Sequence, residues 1–200
     1  MESNNNSDLE TLSGEALKNA ISGNYDKAIE IYRHISTHCS DNPVAVELAN
    51  FHLGDIFIML KNYELAEKYI NVAIKLNPMK PQYHFCLGVI YVNQLQWDRA
   101  ISELETARVG LPNDGDVVRM LGSAIFGSGN TAKGLHLLEG AVRLSPDNPT
   151  TLMETAIAYL LSGRSYKAVE FALRAARLNP TDLEIQTALK TILGSARGFN

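Results

Sequence analysis

The chain has 200 residues, 46% of them hydrophobic and 20% charged, a balance that excludes a disordered or low-complexity protein. Its net charge of −4 excludes a general nucleic-acid binder, because neutralising phosphate needs a basic surface. The opening MESNNNSDLE has neither the basic nor the apolar stretch of a signal peptide, no apolar run is long enough for membrane insertion, and two cysteines (Cys39 and Cys86) make no disulfide framework, so a cytoplasmic setting is expected.

Residues 1–7 are expected to be disordered. Ser7 and Glu10 have capping-box spacing, which predicts a first helix starting near Asp8. A degenerate first repeat, 9–46, is visible in GNYDKAIEIY through Gly23, Tyr25, Ala28 and Tyr32. From 47 onward the chain is periodic. Pro78, Pro112, Pro146 and Pro180 recur every 34 residues, as do Leu53-Gly54, Leu87-Gly88 and Leu121-Gly122, and Ala73, Ala107, Ala141 and Ala175. Ala66, Ala100 and Ala168 keep the same phase, with Gly134 in the missing slot. Ala28 to Ala66 is 38 residues, so four extra residues are expected near 36–42.

Each unit carries two helical patterns. In 47–80 the first has apolar residues at Leu53, Phe57, Ile58 and Leu60, and the second at Ala66, Ile70, Ala73, Ile74 and Leu76. The small residues let two antiparallel helices approach closely. One such hairpin cannot bury both of its apolar faces, so the pairs must stack. The units are 47–80, 81–114, 115–148 and 149–182; the whole stack is 8–182, residues 183–196 form a terminal capping helix, and 197–200 a tail. The unit 115–148, which also carries Gly127, Gly129 and Gly140, is expected to be the softest, since a helix-interior Gly costs about 1 kcal/mol relative to Ala.

This pattern resembles the tetratricopeptide repeat family. The motif reads Leu53, Gly54, Phe57, Ala66, Ile70, Ala73, Pro78 in one unit and Leu87, Gly88, Tyr91, Ala100, Leu104, Ala107, Pro112 in the next. It continues as Leu121, Gly122, Ile125, Gly134, Leu138, Ala141, Pro146, and ends as Thr155, Ala156, Tyr159, Ala168, Ala172, Ala175, Pro180, with Thr155 standing where the family prefers Leu. The resemblance implies an all-α fold, a right-handed α-solenoid of antiparallel helix pairs with about five repeats and a C-terminal capping helix. It further implies a protein or peptide partner bound in a concave groove lined by the first helices. By the family register the groove holds Leu48, Phe51, His52, Asp55 and Met59, then Gln82, Phe85, Cys86, Val89 and Asn93. It continues through Asp116, Arg119, Met120, Ser123 and Phe126 to Met153, Glu154 and Ile157.

The Lys/Asn/Arg clamp by which some members hold an acidic C-terminus is absent. Its positions hold Ser13, Leu17, His52, Gln82 and Cys86, or, one unit later, Phe51, Asp55, Cys86, Asp116 and Met120. What remains is an apolar groove suited to an apolar segment or amphipathic helix. Covering about 300 Å² of it would be worth about 7 kcal/mol gross. The expected function is therefore a non-catalytic adaptor or scaffold. The alternatives are a chaperone-like holder of a hydrophobic client and a self-assembling homo-oligomeric scaffold, in which a neighbouring copy fills the groove. No cofactor, catalytic or metal site is expected: His34 and His38 are four apart beside Cys39 but lack a third ligand, and a His52–Cys86 pair lacks an orienting carboxylate and oxyanion donors.

Overall fold

The computed structural model describes residues 2–197, with side chains from Leu9 to Ala196, and every regular element among them is an α-helix. In chain order these are α1 (Glu2–Ile21), α2 (Tyr25–His38), α3 (Pro43–Met59), α4 (Tyr63–Leu76), α5 (Pro81–Asn93) and α6 (Trp97–Gly110). They continue as α7 (Gly115–Gly127), α8 (Thr131–Leu144), α9 (Pro149–Leu161), α10 (Ser165–Leu178) and α11 (Leu183–Arg197). The chain forms two compact units, one through Ile90 and one from Tyr91. In the first, α1 packs on α2, α2 on α3 and α3 on α4. In the second, α6 packs on α7, α7 on α8, α8 on α9 and α9 on α10, and α11 lies against α10 and α9.

Every helix pair closes through one turn chemistry. The residue after the first helix and its cap takes a left-handed backbone at Gly23, Lys61, Leu95, Gly129 and Gly163, with φ between 57° and 98°. The two N–H groups around it return to the helix end. In the fourth pair the Gly129 amide donates to the Phe126 carbonyl at 3.0 Å and the Asn130 amide to the Ile125 carbonyl at 3.1 Å, a Schellman motif, and the same two bonds recur at the other four turns. The second helix starts at once. Asn62 and Asn130 cap it by accepting the amides of Leu65 and Lys133. Links between pairs end on Asn42, Asp114, Asn148 and Asp182, each accepting an amide of the helix that follows. A proline takes the first helical position in α3, α5 and α9, where its missing N–H has no role.

The structure differs from expectation in two places. α1 begins at Glu2, not near Asp8: residues 2–7 contain no Gly or Pro to break a helix, so the segment expected to be disordered is helical from Glu2, and Met1 lies outside the described residues, as do 198–200 of the expected tail. The four extra residues lengthen neither α2 nor the link after it; they extend α3 at its start, making it 17 residues long against 13 in α5, α7 and α9. Pro43 lets that helix nucleate a turn early, and Asn42 caps it. In the unit 115–148, expected to be the softest, three glycines meet geometric demands. Gly129 supplies the left-handed turn, and a Cβ on Gly134 would stand 2.7 Å from backbone atoms of Phe126, so α8 crosses α7 too closely for Ala. The ring of Trp97 likewise fills the space a side chain at Gly127 would need.

The core follows the repeat columns. Ala66, Ala73, Ala100, Ala107, Ala141, Ala168 and Ala175 are fully buried, between larger residues such as Leu53, Ile70, Leu104, Leu121 and Leu138. Thr155 is also fully buried and donates its hydroxyl to the Thr151 carbonyl at 2.7 Å, which is how a polar side chain fits a position the family fills with Leu. Thr151 Oγ1 is the buried side-chain polar atom left without a partner among the described residues.

Candidate functional site

In the first unit, α1 and α3 enclose an open cleft of about 460 Å³ floored by Tyr32 and Ile35 of α2. One wall is α1, through Leu9, Glu10, Ser13, Gly14 and Leu17; the other is α3 with its cap, through Asn42, Val44, Ala45, Leu48, Ala49 and His52. Val44 is 60% exposed, Leu17 44% and Leu48 40%, so the walls present apolar side chains to solvent. Leu9, Ser13 and Leu17 recur every four residues and so share one helical face. Val44 and Ala45 belong to the additional first turn of α3. The one departure from the 34-residue period therefore builds part of the cleft wall.

Beyond the cleft, the face of α3 carries an aromatic and acidic cluster. The His52 ring stacks on Tyr32 with centroids 5.0 Å apart and meets Phe51 at 5.3 Å; Phe51 in turn meets Tyr83 at 5.1 Å. Burial lowers the His52 pKa, opposed in part by Asp55 one turn further on. Asp55 is exposed to solvent yet surrounded by protein, which raises its carboxyl above the usual range, opposed by His52. Its charge is felt by Tyr32 on one side and Cys86 on the other, and no hydrogen bond or ion pair reaches it among the described residues. Burial, and then Asp55, push the Cys86 thiol up to about 12, which favours the thiol over the thiolate. From α5, Phe85 and Val89 are half-buried and Gln82 is exposed, as is Met59 at the end of α3.

Behind this face a buried carboxylate fastens α3 to the link that follows α4. Glu47 accepts hydrogen bonds from the Tyr83 hydroxyl at 2.5 Å and the Asn77 amide at 3.2 Å, and pairs with Lys80 at 2.9 Å. Burial acts to raise its pKa, but the three donors outweigh that and hold it below the usual carboxylate value.

In the second unit the corresponding residues are disposed differently. Met120 and Met153, expected to line an open groove, are each only 8% exposed and belong to the core. Arg119 pairs with Glu154 at 2.5 Å and with Asp116 at 3.1 Å, and the Ser123 hydroxyl donates to Glu154 at 2.9 Å. The charges expected to meet a partner here meet each other. Phe126 is half-buried, Asn93 is exposed, and Ile157 is exposed beside Leu160 in a hollow completed by Leu183, Ala188 and Ile192 of α11. Glu139, Tyr159 and Lys167 form a further polar tie between α8, α9 and α10.

The expected groove residues of α3 thus gather with one another and with the start of α5, and those of α7 with α9. The α1 wall was missed. Its signal was present in the spacing of Leu9, Ser13 and Leu17, and the family register had already put Ser13 and Leu17 at clamp positions, but the first repeat was left out of the expected groove. His34 and His38 stack at 4.2 Å, with His38 Nδ1 2.8 Å from Thr37 Oγ1 and 3.1 Å from the His34 carbonyl oxygen. No group of three His, Cys, Asp or Glu residues that could hold a metal occurs among the described residues. No described helix is long and apolar enough to cross a membrane.

Known proteins resemble this chain in sequence or in fold. The BBSome complex member BBS4 of Bos taurus is 26% identical over 189 residues, covering 93% of this chain and 35% of that protein. The chain therefore spans about a third of that relative's length. Among solved structures, TTC0263, a thermophilic TPR protein of Thermus thermophilus, superposes with a TM-score of 0.76 at 19% identity, covering 92% of this chain and 98% of that one. MamA of Desulfovibrio magneticus RS-1 gives 0.73 at 18% identity, covering 88% and 97%. Models of the tetratricopeptide repeat match residues 48–78, 86–149 and 119–182, more than half of the chain. The chain belongs to the tetratricopeptide repeat family.

Proposed function

We propose that the protein is a non-catalytic adaptor or scaffold that binds an apolar segment or amphipathic helix of a protein partner. The observation that carries this reading is the α1–α3 cleft, whose walls expose Leu17, Val44 and Leu48 in a hollow large enough for the side chains of one helical face. Fold membership supports it, as does the name of a relative: BBS4 is named as a member of a complex. The preference of Cys86 for its thiol form supports the non-catalytic part. A cytoplasmic setting is part of the proposal, supported by two free thiols, one of them buried.

The test is a pull-down with the wild-type chain and with Leu48→Asp as baits, both checked for unchanged helicity by circular dichroism. A partner retained by wild type, lost with Leu48→Asp and cross-linked to α1 or α3 is the expected result. Equal recovery by both baits would overturn the assignment of the cleft. A wild-type chain that instead self-associates, and loses this with Leu48→Asp, would replace the adaptor by a homo-oligomeric scaffold.

A further inference from the structure

The two units treat their inner-face carboxylates differently. In the second, Glu154 is answered within the chain by Arg119 and Ser123. In the first, Asp55 has no hydrogen bond or ion pair among the described residues, although solvent reaches it. It lies one turn past His52, which lines the cleft, and its field reaches Tyr32 on the cleft floor. The charged residue lining the cleft itself is Glu10; no lysine or arginine lines it. Glu10 is also exposed and without a partner among the described residues.

A purely apolar occupant laid along α3 would strip water from Asp55 and give nothing back, and an unpaired carboxylate taken out of water is strongly disfavoured. An acidic occupant would be repelled by both carboxylates. An occupant with a cation among its apolar residues satisfies the walls and the charge together, and a guanidinium or ammonium donates to a carboxylate in short, charge-assisted hydrogen bonds. Resting on the reading of the cleft given above, we propose that its occupant is a partner segment carrying a lysine or arginine beside its apolar face, with Asp55 receiving the cation and Glu10 favouring the same charge at the opposite wall. Specificity then comes from the first unit, because Asp116, Arg119, Ser123 and Glu154 of the second already bond one another.

The experiment uses a synthetic amphipathic helical peptide with a leucine face flanked by lysines, and two sister peptides with those lysines replaced by glutamine or by glutamate. Each is titrated at physiological salt into the full chain, Asp55→Asn, Leu48→Asp and, as a control for loss of one remote charge, Glu64→Gln on α4. The lysine peptide is expected to bind wild type about fivefold to tenfold more tightly than the glutamine peptide, and the glutamate peptide more weakly than either. Asp55→Asn is expected to remove most of the lysine advantage, the remainder coming from Glu10, and to leave the glutamine peptide unchanged, while Glu64→Gln changes neither. Equal binding of the lysine and glutamine peptides, both weakened by Leu48→Asp, would overturn the charge assignment and leave the cleft as a binding site. Binding that ignores Leu48→Asp, or no binding by any peptide, would overturn both.

Discussion

Gly134 gives the sharpest test of the packing. The family prefers Ala at this position, so the sequence reading treats Gly134 as a weakness that Ala would repair. The structure predicts the opposite. A Cβ there would lie 2.7 Å from the nitrogen, Cα and Cβ of Phe126. Ordinary carbon–carbon contact begins near 3.5 Å, so α7 and α8 would have to part by about 1 Å. Overpacking of that kind costs about 1–3 kcal/mol, against about 0.8–1.0 kcal/mol gained in helix propensity. Gly140, on the same helix, is the internal control: its Cβ would meet the Arg143 guanidinium at 3.5 Å and Val118 at 3.8 Å, ordinary contacts. Gly140→Ala should therefore stabilise by about 0.8–1.0 kcal/mol, with Gly134→Ala less stable than it by about 1–3 kcal/mol. Urea midpoints followed by circular dichroism measure the gap, and amide exchange in α7 and α8 localises it. Equal stabilisation by the two substitutions would refute the close crossing.

Four further outcomes follow from particular groups. Lys61 and Leu95 hold left-handed backbone conformations that other repeats give to Gly, so Lys61→Gly and Leu95→Gly should each stabilise by about 0.5–1 kcal/mol in the same urea assay. Thr151→Val removes a buried hydroxyl without a partner and should raise stability by about 1 kcal/mol, read as a higher melting temperature. Glu47 has a folded-state pKa below its ordinary 4.5; its contribution is complete above pH 4.5 and is lost as pH falls through the lower, folded value. Glu47→Gln should cost about 1–3 kcal/mol at neutral pH and flatten the acid limb of stability against pH. Arg119→Met should destabilise the second unit by leaving Glu154 unpaired, and Arg119→Met combined with Glu154→Met should recover most of the loss in a double-mutant cycle.

The repeat was legible because each unit has to solve the same packing problem. Small residues at Gly54, Ala66 and Ala73 mark close helix crossings, and a column of identical residues every 34 positions leaves one topology. What stayed hidden is instructive. The left-handed turn column is uniform in backbone but not in sequence, because Lys61 and Leu95 interrupt its glycines. The placement of the four extra residues was ambiguous, since a helix can lengthen at either end. Only the position of Pro43 and the Asn42 cap assigns them to α3. The Arg119–Glu154 pair joins residues 35 apart, and nothing in one dimension distinguishes two charges that meet a partner from two that meet each other. Met120 and Met153 occupy register positions that face the groove in the family, yet neighbouring side chains cover them.

The α1–α3 cleft is the surface proposed to meet a partner. Site-specific photo-cross-linking tests this directly: a benzophenone amino acid replaces Leu48 in the cleft wall or Lys68 on the exposed side of α4, and cells expressing each variant are irradiated. The account predicts one discrete adduct from position 48 and none from position 68, with the cross-linked stretch of the partner apolar and carrying a lysine or arginine. An adduct from position 68 with none from position 48 would contradict it.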